Sequence, residues 1–267
     1  MAISIAVASG KGGVGKTSMS VNLGLTFAQM KKRTTLLDAD FGMANAHILL
    51  GVKPDFFISD ALKGTVSITQ TLCAGPAGLN FVSGGSGLID MLNLDKKTRY
   101  QTIRLFDEIA DDTDILVADV PAGASDSSLA FVAAADKVLI VLVGEPTSFL
   151  DAYSLIKAAN IDAGLTNFSV VVNMTQSEAQ AKAHFEKFKS IALRFLDVRL
   201  DYVGHLPLST RVRQSIVSRK PISIDAKESR ENACFQKIAK NILTSPNNET
   251  GGIRFFDQQI VRNKRVS

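Results

Sequence analysis

The stretch Ser9-Gly10-Lys11-Gly12-Gly13-Val14-Gly15-Lys16-Thr17 decides how the rest of this 267-residue chain is read. A glycine, a four-residue gap and then Gly15-Lys16-Thr17 lets backbone N–H groups converge on anionic oxygens, with a lysine for charge and a hydroxyl for a magnesium ion. The flanks supply the context such a loop needs. Ile3-Ser4-Ile5-Ala6-Val7-Ala8 is an apolar run suited to a buried strand, and from Lys16 to Lys31 apolar residues recur at helical spacing in Met19, Leu23, Phe27 and Met30. Strand, glycine loop and helix together read as a phosphate cradle. Its candidate lining is Gly10, Lys11, Gly12, Gly13, Val14, Gly15, Lys16, Thr17 and Ser18.

Outward from the loop, Thr34 to Asp40 reads as a second strand that closes on two carboxylates. If extended geometry holds through both, Asp38 and Asp40 point the same way. At the carboxyl end of a parallel strand that direction faces the phosphate site, so Asp40 can hold an attacking water and Asp38 can bond water around a metal. Asp114 to Asp119 is an apolar strand that stops on an acid, the place where a carboxylate reaches the metal in this kind of protein. The small residues Val120-Pro121-Ala122-Gly123-Ala124 after it suit either a nucleotide-responsive loop or a tight connection. Lys137 to Val143 is almost uninterrupted and predicts a central strand covered on both faces.

Further along, Pro146 to Asn160 carries a buried helical stripe of Ala152, Leu155, Ile156 and Ala159, with Thr147 or Ser148 as its cap. Phe168 to Asn173 is another buried strand. Its terminal amide can meet a base edge or simply start a turn. Shorter signals predict helices over 44–50, 55–62 and 97–110, a strand over 79–83 and a long amphipathic helix over 178–195. Asp201-Tyr202-Val203-Gly204 completes the sheet, followed by a turn through Pro207 and a short helix whose Arg211, Arg213, Arg219 and Lys220 read as solvated charge. Strands alternating with helices to about residue 244 imply an α/β fold: a doubly wound, mainly parallel sheet with helices on both faces.

Composition bounds the class. A 46% hydrophobic content supports a sizeable core, and a net charge of +4 specifies neither nucleic acid nor lipid. Cys73 and Cys234 stand apart with no CxxC spacing, which predicts buried thiols rather than a disulfide or a zinc site. With no basic leader and no apolar run of spanning length, the expected location is the cytoplasm.

The tail has a different composition. Residues 1–244 read as one domain, 245–252 as a polar linker, and 253–265 as an amphipathic helix with Ile253, Phe256 and Ile260 on one face, Val261 at its edge and Phe255 off it. Such a helix either docks on the domain or anchors reversibly to a membrane. Four basic residues at about 1 kcal/mol each near anionic lipid, with a few apolar side chains at roughly 1.5–3 kcal/mol each, must offset the cost of folding it. Two copies on a dimer add avidity.

The loop holds one lysine more than the phosphate motif requires. Gly10-Lys11-Gly12-Gly13-Val14-Gly15-Lys16-Thr17 resembles the deviant Walker A motif of the MinD/ParA ATPases, Leu37 to Asn45 resembles their switch I, and Asp119-Val120-Pro121-Ala122-Gly123 their switch II. The resemblance implies ATP and Mg²⁺ as cofactors, Lys16 on the phosphates, Thr17 on the metal with Asp38 and Asp119, Asp40 as the residue positioning water, and Asn173 and Pro207 near adenine. It also implies an ATP-dependent homodimer in which Lys11 reaches the phosphates of the other copy. Within the family, Asp38 to Gly51, Glu145 to Lys157 and Gly251 to Phe256 are similar to the FlhG (FleN) branch that regulates flagellar number, although Pro121-Ala122-Gly123 is worded more like MinD. That likeness implies a slow, partner-stimulated ATPase at the membrane surface. The implied partners are FlhF, a flagellar transcriptional activator or flagellar switch proteins. The rival expectations are cell-division site regulation, DNA partitioning through a basic surface, and small-molecule phosphorylation or reduction.

Overall fold

The computed structural model describes residues 2–41, 44–85, 95–248 and 252–256. Eight strands form one sheet in the order β3-β4-β2-β5-β1-β6-β7-β8. In chain order they are β1 (Ile3–Ala8), β2 (Thr34–Asp38), β3 (Cys73–Ala74), β4 (Asn80–Ser83), β5 (Ile115–Asp119), β6 (Lys137–Val143), β7 (Asn167–Thr175) and β8 (Arg199–Pro207). Every pairing is parallel except the two-residue β3 against β4. The helices are α1 (Lys16–Gln29), α2 (Ala46–Leu50), α3 (Ile58–Leu62), α4 (Lys96–Leu105), α5 (Asp126–Ala134), α6 (Pro146–Ala163), α7 (Glu178–Ala192), α8 (Thr210–Ser218), α9 (Ile222–Asp225) and α10 (Arg230–Thr244).

Side-chain alternation divides the core into two layers. Ile5 and Val7 of β1, Leu36 of β2, Val117 of β5 and Val141 of β6 face α1 and α10, where they meet Leu23, Phe27, Phe235 and Ile238. Ala6, Ala8, Leu37, Leu116, Ala118 and Ile140 face the opposite layer with Phe131, Leu155, Ile156 and Phe188. The period-2 geometry of a strand buried on both sides therefore accounts for runs with no polar face.

This order positions the site. β1 lies between β5 and β6, so the chain leaving Ala8 emerges where connections depart to opposite sides of the sheet. That is the place in an open α/β sheet where ligands collect. The register sets Val7 against Asp119 and Asp38 against Asp119. Both acids therefore stand at the same edge as the glycine loop.

Two expectations about the tail need correction. The polar stretch expected as a linker is bound across the opposite edge of the sheet in its described part. Asn248, 1% exposed, accepts from the Thr166 and Asn167 N–H groups and donates to the Asn167 carbonyl, while the Lys137 ammonium donates to the Ser245 carbonyl. The helix expected from Ile253 is absent over 253–256. Phe255 meets Phe106 edge-on at 5.5 Å and stacks with Phe131 at 6.3 Å, and Phe256 is 6% exposed. Two adjacent phenylalanines cannot share one helical stripe. Here Phe256 takes φ 56° and both rings enter the core, so Phe256 is no lipid contact and Ile253 is half-buried against the same cluster. Ile260 and Val261 lie outside the described residues.

Candidate nucleotide site

The glycine loop leaves β1 at Ala8 and enters α1 at Lys16, and its conformation needs glycine for two different reasons, a left-handed φ at Gly13 and Gly15 and close approach of main chain at Gly10. Gly15 has φ 86°, a left-handed value, and a Cβ there would land 2.4 Å from the Asn173 amide nitrogen. At Gly10 a Cβ would sit 2.1 Å from the Asp151 carbonyl carbon, because α6 crosses directly over the loop. The loop is also clasped from the side: the Gly123 N–H donates to the Ser9 carbonyl at 2.9 Å and the Ser9 hydroxyl to the Lys11 carbonyl at 3.0 Å. The last residue of the expected switch II thereby touches the glycine loop.

The two lysines have separate partners. Lys16, 8% exposed, donates to Asp119 Oδ1 at 2.7 Å, and the Ser20 hydroxyl donates to the same oxygen at 2.8 Å. Lys11 donates instead to Glu145 Oε2 at 2.9 Å and to Thr147 Oγ1 at 3.0 Å, at the start of α6. Thr147 is therefore a lysine ligand rather than a helix cap. Ser148 does not cap either, since its Oγ accepts from the Val143 N–H at 3.1 Å while Glu145 and Pro146 open the helix.

The carboxylates show what the site lacks. Asp119 Oδ2 is buried with no protein partner, an acceptor left over inside the fold. Asp38 accepts from the Ala46 N–H at 2.9 Å and the Asp40 N–H at 3.2 Å, yet burial first and the neighbouring Asp119 second push its carboxyl up to about 7. Two buried acids against one lysine, with one oxygen unused, form a donor set that a hard divalent cation would complete. The residues fit Mg²⁺, and the half-buried Thr17 follows Lys16 at the start of α1.

β2 ends at Asp38, so strand alternation does not extend to Asp40, and the expectation that both side chains project together loses its geometric basis. Asp40 stays near through its neighbours, because the Ala39 N–H donates to the Asp119 carbonyl at 2.9 Å. Asn173, 8% exposed, donates to the Val14 carbonyl at 2.7 Å and accepts from the Met174 N–H at 2.8 Å. Its amide fastens the glycine loop to the end of β7, and Pro207 closes the neighbouring β8. The structure thus brings Lys11, Lys16, Asp38, Asp119 and Asn173 around one loop. Sequence reasoning gave Glu145 and Ser20 no role at the site and read Thr147 only as a helix cap. For Ser20 the signal was present, one turn after Lys16 on α1.

Comparison with known proteins gives the following. A ParA family model, described as NUBPL iron-transfer P-loop NTPase, matches residues 1–243. The antiactivator FleN of Pseudomonas aeruginosa is 39% identical over 260 residues, spanning 97% of this chain and 93% of that protein. The flagellum site-determining protein YlxH of Helicobacter pylori is 29% identical over 217 residues, 81% of this chain and 73% of that one. Among solved structures, the cell-division ATPase MinD of Pyrococcus furiosus superposes with a TM-score of 0.76 at 22% identity, covering 91% of this chain and 99% of that chain. At that identity the last likeness is one of fold.

Proposed function

This chain belongs to the ParA family of P-loop NTPases, and from that premise we propose that it is an ATP-driven dimerisation switch controlling the number and placement of flagella. Family membership carries nucleotide and Mg²⁺ use and ATP hydrolysis. The roles of individual residues are our assignment.

In this reading Lys16 would hold the β- and γ-phosphates, and Asp119 and Thr17, with Asp38 through water, would hold Mg²⁺. The metal supplies charge neutralisation on the phosphates. Asp40 orients the attacking water. Asn173 and Pro207 flank the adenine. Lys11 leaves Glu145 and Thr147 and offsets charge on the phosphates of the other copy; a cation supplied in this way is worth about 10³–10⁵ in rate in other P-loop enzymes. Turnover is slow until a partner stimulates it. Reversible lipid contact belongs to the residues beyond Phe256, with Ile260 and Val261 as the apolar contacts.

The observation that carries the switch reading is the division of labour between the lysines. Lys16 occupies the buried acid cluster and Lys11 is held 2.9 Å from Glu145, leaving a second cation of the same loop to be delivered elsewhere. The flagellar arm rests on 39% identity to a FleN across nearly the whole chain. Iron transfer is less well supported, because Cys73 and Cys234 lie on different elements, β3 and α10.

Light scattering tests the switch. With saturating ATP, Asp40→Ala accumulates as a dimer and Lys11→Ala binds ATP yet stays monomeric. A monomeric Asp40→Ala overturns the switch. Flagellar counts on cells lacking the protein test the second arm, and normal number and position overturn it.

A further inference from the structure

The Asp119 carboxylate is held through one of its two oxygens. Oδ1 accepts from the Lys16 ammonium at 2.7 Å and from the Ser20 hydroxyl at 2.8 Å, while Oδ2 is buried without a protein partner. The main chain on either side is already tied. The Ala39 N–H donates to the Asp119 carbonyl at 2.9 Å, and the Val120 N–H donates to the Val7 carbonyl at 3.2 Å. Rotation about the side-chain bonds is the freedom left to Asp119, so the donors to Oδ1 decide where Oδ2 points.

The two donors differ in kind. Lys16 carries its ammonium on a flexible four-carbon stem, and the reading above assigns that ammonium to phosphate oxygens. Ser20 carries its hydroxyl directly on Cβ, four residues after Lys16 on the same face of α1, and is 0% exposed. A serine inside a helix can instead give its proton to the carbonyl four residues back, and the Lys16 carbonyl does lie 3.1 Å from Ser20 Oγ. One hydroxyl has one proton. Distance and charge both direct it to Asp119, at 2.8 Å against 3.1 Å and to a carboxylate against a neutral carbonyl.

We propose that Ser20 is a positioning residue for the metal site: its hydroxyl fixes Asp119 Oδ1 so that Oδ2, the oxygen without a protein partner, stays available to Mg²⁺. The proposal rests on the reading of Asp119 as a residue that would hold the metal. It adds a side chain that acts through Asp119 alone. Hydrogen-bond partners of metal-binding carboxylates are worth about 10–100-fold in metal affinity.

The test uses the full chain, in excess over ADP, titrated with Mn²⁺ while electron paramagnetic resonance counts the free ion. Affinity for N-methylanthraniloyl-ATP in EDTA measures nucleotide binding without metal. Ser20→Ala weakens Mn²⁺ binding about tenfold or more and leaves the metal-free nucleotide affinity within about twofold. Ser20→Thr keeps the hydroxyl and stays within about threefold of the parent. In an Asp119→Ala background Ser20→Ala weakens Mn²⁺ binding no further, because the hydroxyl then has no carboxylate to hold. Unchanged Mn²⁺ affinity in Ser20→Ala overturns the proposal. So does equal weakening with and without metal, equal loss in the alanine and threonine variants, or full additivity with Asp119→Ala. The Asp119→Ala single variant separates this from the metal reading. If it binds Mn²⁺ as tightly as the parent, the placement of the metal at Asp119 falls and the proposal falls with it. If it binds weakly while Ser20→Ala binds normally, the placement stands and the role of Ser20 alone is lost.

Discussion

Releasing Lys11 from its own subunit should tighten the ATP dimer. The perturbation is Glu145→Gln with Thr147→Val, which removes the negative charge of one acceptor of the Lys11 ammonium and the hydroxyl of the other. The Lys11 side chain is 30% exposed and that of Glu145 64%, so solvent screens the pair and its worth is that of a surface ion pair, about 0.2–1 kcal/mol. Each dimer requires two such releases, so the combined change is about 0.4–2 kcal/mol, a dimer Kd lower by about twofold to thirtyfold. Sedimentation velocity with saturating ATP, in an Asp40→Ala background to suppress turnover, measures it directly. The difference from the parent should shrink as salt rises and the Debye length falls toward 3 Å near 1 M. An unchanged Kd would show that the contact costs the dimer nothing. A weaker dimer would refute the reasoning outright, because Glu145 would then be supporting Lys11 in its working position.

Three other outcomes follow from the geometry. Arg33 donates through its side chain and then its backbone N–H to Asp114, holding that carboxyl down at about 2. The folded value lies below the unfolded one near 3.9, so the stabilisation is present above pH ~4 and lost as pH falls toward ~2. The stability gap between the parent and Asp114→Asn in urea unfolding therefore closes over that window, and a constant gap contradicts it. Phe255→Ala should lower the stability of the whole domain by about 3–5 kcal/mol, since the ring is 2% exposed between Phe106 and Phe131; an unchanged urea midpoint would restore the free-tail reading. Gly10→Ala places a Cβ against main chain of α6 and should cost about 1–3 kcal/mol, whereas Gly12→Ala, with nothing within 4 Å, is tolerated. Equal thermal midpoints for the two would sink that contrast.

Elements buried on both sides were the legible ones. β6 is found at Lys137–Val143 as read, and β1, β2 and β5 lie within two residues of the expected bounds. A doubly covered parallel strand writes its full length in apolar residues. Less was legible where burial is one-sided or contrast is weak. β8 continues from Arg199 to Pro207 although only 201–204 stands out, because it is an edge strand whose first half is partly exposed. α5, Asp-Ser-Ser-Leu-Ala-Phe-Val-Ala-Ala, escaped notice since small residues blur its periodicity, while the Ser125 hydroxyl that accepts from the Ser128 N–H marks its start. β3 is too short to leave any pattern.

At the site, spacing named the chemistry but not the pairings. Which of two lysines meets Asp119 depends on where α6 crosses the loop, a tertiary fact that residue order does not encode. The tail fails for a related reason. A helical projection assumes a helix, and at φ 56° Phe256 ends any such projection after three residues. The consequence reaches the switch. The Phe131 ring that stacks on Phe255 also lies 5.7 Å from Phe41, the residue after Asp40. The root of the tail and the segment that carries the water-positioning acid therefore share one side chain of α5, the helix that follows Asp119 and its loop. A substitution at Phe131 disturbs both at once. Experiments that remove the tail should for this reason cut after Phe256, where the buried rings are kept, rather than at Gly251, where a lost membrane contact and a damaged core would look the same.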